Sequence, residues 1–177
     1  MDYTWYYDSP LGQIMLASDG DALVGLWFEG QKHFDERLRS EGIERRLPVF
    51  EEAERWLDIY FSGNAPDFTP AINIRTTLFR KMVWEILLSI PYGKIMTYGE
   101  IARLIAEKMN RHGFSARAVG GAVGHNPISL IIPCHRVVGA GGSLTGYAGG
   151  LDRKMALLKL EKVNMDNLFI PKKATAP

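Results

Sequence analysis

The sequence predicts a two-part α+β protein, a small N-terminal antiparallel sheet with helices followed by a mainly helical domain. Three observations carry this expectation. Short β-rich runs separated by turn residues fill the chain up to Phe28, and apolar residues recur at helical spacing from Pro48 onward. The charge also divides along the chain. Residues 1–79 carry 7 Lys+Arg against 14 Asp+Glu, a balance of −7, whereas residues 80–177 carry 14 against 6, a balance of +8. The net charge of +1 therefore hides a basic C-terminal half, which suits a polyanionic partner or a solvated basic face.

Tyr3 to Tyr7 and Gln13 to Ser18 are β-rich and joined by Asp8-Ser9-Pro10-Leu11-Gly12, a turn by composition. Asp19-Gly20-Asp21 then leads into Ala22 to Phe28, which completes a three-stranded meander. Gln31 to Arg39 is expected as a short polar-faced helix. From Pro48 to Phe61 the residues Val49, Phe50, Ala53, Trp56, Leu57, Tyr60 and Phe61 fall at helical spacing, with Pro48 in the first turn and Gly63 past the end. This aromatic stripe reads as core. The loop from Asn64 to Ile74, with Pro66 and Pro70, is the expected boundary between domains 1–74 and 75–170.

Thr77 to Ile90 is expected as an apolar helix ended by Pro91-Tyr92-Gly93. Thr97-Tyr98-Gly99-Glu100 has the form of a capping box and opens a helix from Tyr98 to about Met109. After a turn over Asn110-Arg111-His112-Gly113-Phe114, Ser115 can cap a second helix from Ala116 to about Gly124. The pair is a helix-turn-helix candidate in a basic half, although by itself such a pair is more often a plain αα-hairpin. Its second helix is nearly bare. Ala116, Ala118, Gly120, Gly121 and Ala122 offer no base-reading side chain, and glycine inside a helix costs about 1 kcal/mol against alanine. That composition suits a close, sequence-blind approach by another backbone, with Arg117 as the long cation at the helix start. The tail 171–177 is expected to be disordered.

Composition excludes several classes. No apolar run approaches the length that spans a bilayer, so no membrane role is expected. Met1-Asp2-Tyr3-Thr4 lacks the features of a signal peptide. One cysteine forms no internal disulfide, which suits a reducing compartment, and the expected location is the cytoplasm.

That single cysteine, Cys134, lies in Ile131-Ile132-Pro133-Cys134-His135-Arg136-Val137-Val138. Leu130 to Ile132 reads as a buried strand leading in. A lone cysteine is commonly a small buried apolar residue. Flanking by an imidazole that can take its proton and a cation that favours the thiolate is the alternative, nucleophilic reading.

The wider pattern includes Arg117-Ala118-Val119-Gly120-Gly121, His125-Asn126-Pro127, Pro133-Cys134-His135-Arg136-Val137 and Gly146-Tyr147-Ala148-Gly149-Gly150. With Ile90-Pro91-Tyr92-Gly93 and Thr97-Tyr98-Gly99-Glu100, it resembles the O6-alkylguanine-DNA alkyltransferases. The resemblance covers Phe79 to Glu161 well and the earlier part in general layout. It implies an RNase H-like first domain, a winged-helix-like DNA-binding second domain, and repair of O6-alkylguanine, with O4-alkylthymine as a further substrate. The partner implied is double-stranded DNA, met by a monomer. No cofactor is implied, because the lesion itself carries the alkyl group.

The resemblance also implies roles. Cys134 is the alkyl acceptor, His135 its base through a water, and Glu161 the carboxylate that orients His135. Asn126 orders the turn, and Tyr98 hydrogen-bonds or protonates guanine N3. Arg117 fills the gap left by a flipped base, on a surface made by Ser115, Ala116, Ala118, Gly120 and Gly121. Val123, Val137, Tyr147 and Ala148 shape the base pocket, and Arg136 braces the turn. The family often has serine where this chain has Ala148, which preserves a main-chain contact only. Some members hold a structural zinc in the first domain. With one cysteine and an isolated His33, none is expected here.

Overall fold

The computed structural model describes residues 2–110 and 113–172. Arg111 and His112 of the expected inter-helix turn, and residues 173–177 of the expected disordered tail, lie outside the described residues. The chain forms two compact units. One runs to Arg75 and also takes in Pro127–Ile131, and the other comprises Thr76–Asn126 and the chain from Ile132.

The first unit is built on β1 (Tyr3–Ser9), β2 (Gly12–Ser18) and β3 (Leu23–Phe28). They pair antiparallel, with Tyr3 opposite Ser18 and Ile14 opposite Phe28. A tight turn joins β1 to β2, and Gly12 takes φ 110° there, a conformation that favours glycine. Helix α1 is shorter and later than expected, at Glu36–Glu41, because Asp35 caps it by accepting from the amides of Arg37 and Leu38. A two-residue strand β4 (Ile43–Glu44) follows and pairs parallel to β1. The sheet thus has four strands in the order β3-β2-β1-β4, one more than the meander alone. Helix α2 (Pro48–Phe61) forms as the spacing predicts, with Phe50, Leu57 and Tyr60 completely buried. Trp5 and Tyr7 of β1 anchor it by donating to Glu54 and Asp58, at 3.0 and 2.7 Å.

The outer edge of β3 is covered, as exposed sheet edges must be. Ile72 bridges to Leu23, and Ile128 bridges to Leu26. Leu26 donates its amide to Pro127 O at 2.8 Å and accepts from the Ser129 amide at 2.9 Å. Gln31 Oε1, buried behind this edge, accepts from the Phe28 amide at 2.9 Å and from Ser129 Oγ at 3.2 Å. Leu130 to Ile132 are therefore not the strand expected. They form a turn and bend, with Leu130 at φ 69°, because the chain must leave the β3 edge abruptly.

The second unit contains α3 (Leu78–Leu88), β5 (Met96–Thr97), α4 (Tyr98–Met109), α5 (Ala116–Gly124), β6 (Val137–Val138) and α6 (Leu151–Leu160). The capping box at Thr97 forms in full. Glu100 donates its amide to Thr97 Oγ1 at 3.1 Å, and the Thr97 amide donates to Glu100 Oε2 at 2.7 Å. Ser115 caps α5 by accepting from the Ala118 amide at 3.1 Å. Trp84 of α3 donates its indole N–H to Ala122 O at 2.9 Å and fixes the inner side of α5. Strands β5 and β6 pair parallel, Thr97 opposite Val138, which brings the start of α4 beside the segment that follows Cys134. Among the described residues, no helix is long and apolar enough to cross a membrane.

Candidate active site

Cys134, His135 and Arg136 form one 3₁₀ turn between Pro133 and β6. Pro133 cannot donate, and the Cys134 amide instead reaches Ile132 O at 2.8 Å. All three side chains are buried, and His135 is fully so. Asn126 organises the approach. Its Nδ2 donates to Ile132 O at 2.8 Å and to Cys134 Sγ at 3.2 Å, so one amide clamps the turn and touches the thiol.

Glu161, just past the end of α6, is the hub of a buried ionic cluster. Its Oε1 lies 2.6 Å from His135 Nε2. Arg136 donates to both carboxylate oxygens, from Nε at 2.8 Å and from Nη2 at 3.0 Å, and its Nη1 reaches Ile90 O. The Gly93 amide donates to Oε2 at 3.1 Å. Burial works against the charge of Glu161, but His135 and Arg136 outweigh it and hold its pKa at about 2. The carboxylate is therefore ionised, and the His135 nitrogen facing it, Nε2, carries a proton to donate. Nδ1 then holds the ring's basic lone pair. Burial lowers the basicity of the ring, so His135 is neutral near pH 7.

Burial also pushes the Cys134 thiol up, against the hydrogen bond from Asn126, the charge of Lys154 and the local amides. The resting sulfur is thus protonated, and a thiolate must be generated by a base. Arg136, expected to brace the turn, does so as the bidentate partner of Glu161.

Tyr98 opens α4 and donates its hydroxyl to Gly146 O at 3.1 Å, within 3.4 Å of Thr145 O. Burial and the neighbouring Cys134 keep this hydroxyl protonated far above neutral pH. Tyr98 lines a cleft of about 730 Å³, together with Ala116, Arg117, Gly120, Gly121 and Thr145. Ser115, Ala116, Arg117, Ala118 and Gly121 are exposed and Gly120 is half-buried. Among the described residues, a Cβ at Gly121 would meet nothing within 4 Å, and one at Gly120 would make only ordinary contact with the Tyr98 ring. Internal packing therefore does not require either glycine.

The four residues expected to shape a base pocket are placed apart from the walls of this cleft. Val123 and Val137 are core residues, Ala148 is half-buried, and Tyr147 is buried with its ring edge-on to His135 at 6.4 Å. Among the described residues, the enclosed Tyr147 hydroxyl has no hydrogen-bond partner. Sequence reasoning overlooked Lys154 of α6, which is completely buried and donates to Val137 O and Thr145 O. Its signal was available, since Lys154 shares the helical face of Leu151, Leu157 and Leu158.

Residues 3–75 match the family model described as 6-O-methylguanine DNA methyltransferase, ribonuclease-like domain. Residues 78–163 match the model of the corresponding DNA binding domain. The methylated-DNA–protein-cysteine methyltransferase of Mycobacterium leprae is 44% identical over 155 residues, covering 88% of this chain and 89% of its own. That of Methanosarcina acetivorans is 44% identical over 160 residues, covering 90% and 97%. Among solved structures, the O6-methylguanine methyltransferase of Mycobacterium tuberculosis superposes with a TM-score of 0.78 at 43% identity, over 92% of this chain and 93% of that one. A Mycobacterium tuberculosis OGT in complex with DNA gives 0.76 at 43% identity, over 91% and 92%. Both halves of the sequence and the whole fold thus agree with the motif around Cys134, and the chain belongs to the O6-alkylguanine-DNA alkyltransferases, the methylated-DNA–protein-cysteine methyltransferase family.

Proposed function

We propose that this protein repairs alkylated DNA by moving the alkyl group of O6-alkylguanine, and of O4-alkylthymine by the same chemistry, onto Cys134. The observation that carries this reading is the buried thiol held by Asn126, next to a neutral His135 whose proton-bearing nitrogen is locked on Glu161. His135 Nδ1 takes the thiol proton through a water. The thiolate attacks the alkyl carbon, the S–C bond forms as the C–O6 bond breaks, and the electron pair leaves on the base. Tyr98 gives its hydroxyl proton to guanine N3, so that the base departs neutral, and the proton taken up by His135 returns to the tyrosine through solvent. Arg136 keeps Glu161 ionised and in place. The thioether is stable, so each molecule acts once. The donor is DNA, and the reaction as written needs no cofactor.

A base stacked in a duplex hides its O6 from any buried thiol, so the lesion must be turned out at a cost of a few kcal/mol. The exposed, nearly bare face of α5 supports close approach to the minor groove, with Arg117 filling the vacated stack. The basic C-terminal half supports sequence-independent affinity for phosphates. The base enters the cleft lined by Tyr98, Arg117, Thr145 and Gly146, outside whose walls Val123, Val137, Tyr147 and Ala148 lie.

Mass spectrometry after mixing with a duplex containing one O6-methylguanine tests this. The tryptic peptide from Ala118 to Arg136 contains the sole cysteine. One methyl on that peptide, guanine restored and no second turnover is the expected result. An unmodified peptide despite tight binding to the lesion overturns it and makes the protein a damage sensor.

A further inference from the structure

One wall of the cleft beside α5 is made by a loop that its own composition does not stiffen. Gly139, Ala140, Thr145 and Gly146 line the cleft, and four of the eight residues 139–146 are glycine. Glycine loses more conformational freedom on ordering than any other residue, so such a loop keeps one shape only when it is held. Inside it, Gly139 donates its amide to Ser143 O at 2.7 Å, and Thr145 donates to Ser143 O at 3.0 Å.

The outside support comes from residues 165–169, which lie past α6 and past the end of the matched DNA binding domain. The Leu144 amide donates to Phe169 O at 2.8 Å, and the Phe169 amide donates to Gly142 O at 3.1 Å. Ser143 and Phe169 thereby form a parallel bridge. Leu144 is buried in a cluster with Val138 and Leu158, against which Met165 and Leu168 pack. The two backbones approach closely. Gly142 takes φ 90°, and a Cβ on it would collide with the Asn167 carbonyl. The Phe169 side chain is 50% exposed, so this residue serves the loop through its main chain. At its far end the same loop meets the site, where Gly146 O accepts from the Tyr98 hydroxyl at 3.1 Å.

We propose that residues 165–169 are a strap that sets one wall of the DNA cleft, holding loop 139–146 in the shape that receives the extruded nucleotide. This deepens the repair reading and rests on it. Phe169 is a positioning residue that acts through Gly142 and Leu144. A loop ordered before binding spares the complex that ordering cost, so the strap raises affinity for the lesion and leaves the reactivity of the sulfur alone.

Phe169→Pro removes the amide that reaches Gly142 O. Ile170→Pro, one residue on, removes an amide that has no acceptor among the described residues and controls for proline itself. Amide exchange without DNA reads the strap. In Phe169→Pro the Leu144 and Thr145 amides exchange about ten-fold faster, and in Ile170→Pro they keep the wild-type rate. An unchanged rate in Phe169→Pro overturns the proposal. With a duplex holding one O6-methylguanine below saturation, single-turnover methylation of Cys134 falls about ten-fold in Phe169→Pro. Alkylation of the same thiol by iodoacetamide keeps its rate. Equal losses in the two reactions, or no loss in methylation, overturn the proposal. Methyl uptake by the wild type is read alongside, so failure of the repair reading is told apart from failure of the strap. A further measurement needs no variant. In the wild type the two bonds open together, so the Leu144 and Phe169 amides show the same protection from exchange. A Leu144 amide far better protected than that of Phe169 means that the loop stands without the strap, and it overturns the proposal even where Phe169→Pro does not fold.

Discussion

Gly121→Ala separates a glycine kept for the fold from one kept for a partner. Gly121 lies inside α5 and outside the residues with positive φ, and a Cβ built on it meets none of the described residues within 4 Å. Alanine is therefore accommodated without strain, and the helix gains about 1 kcal/mol from propensity and from the smaller entropy of the unfolded chain. For a chain of this size the expected rise in melting temperature is about 2–4 °C. DNA affinity moves the other way. If a duplex backbone packs directly on this face, an inserted methyl costs about 1–3 kcal/mol, as overpacking does elsewhere. That corresponds to roughly 5- to 150-fold weaker binding. Thermal denaturation with circular dichroism gives the first quantity, and fluorescence anisotropy of a labelled duplex at fixed salt gives the second. A stabilised variant with unchanged DNA affinity refutes the assignment of α5 as the contact face. A destabilised variant refutes the claim that Gly121 has open space around it.

Arg136→Met strands the Glu161 carboxylate in the interior, and a loss of about 3–5 kcal/mol in urea unfolding is expected. A loss below 1 kcal/mol would mean that the pair contributes little. The acid limb of stability reports Glu161. Its pKa is about 2 in the fold against about 4.3 unfolded, so its contribution is present above about pH 4.3 and is lost as pH falls towards 2. Denaturant titrations across that window should fall more steeply for the wild type than for Glu161→Gln, and parallel slopes would contradict the assignment. Gln31→Ala leaves the buried Phe28 amide and Ser129 hydroxyl without their shared acceptor and is expected to cost about 1–3 kcal/mol. An unchanged midpoint would mean that water replaces the amide.

Local signals made much of this protein legible in its sequence. The helices α2, α4 and α5 follow from apolar spacing and caps, because Pro48, Thr97 and Ser115 act within one turn of their own helices. The cysteine motif was equally visible, since Cys134, His135 and Arg136 are adjacent along the chain. Misplaced elements were those decided by distant partners. The run from Leu130 to Ile132 is apolar enough for a strand, yet docking of Pro127–Ile131 on Leu26 turns it aside. Helix α1 is the exception, since its late start is local: Asp35 caps it by accepting from the amides of Arg37 and Leu38.

The sequence by itself determined the fold class, the cysteine motif and the family, because periodicity, capping and an unbroken motif are properties of neighbours. Only the tertiary structure decided the electrostatics. Glu161 lies 26 residues from His135, and only folding brings it to 2.6 Å. Arg136 becomes the partner of that same carboxylate, and Lys154, an ordinary lysine in the chain, becomes a buried charge held by two main-chain carbonyls. Charge and protonation depend on burial and on distances across the fold, which the order of residues does not contain.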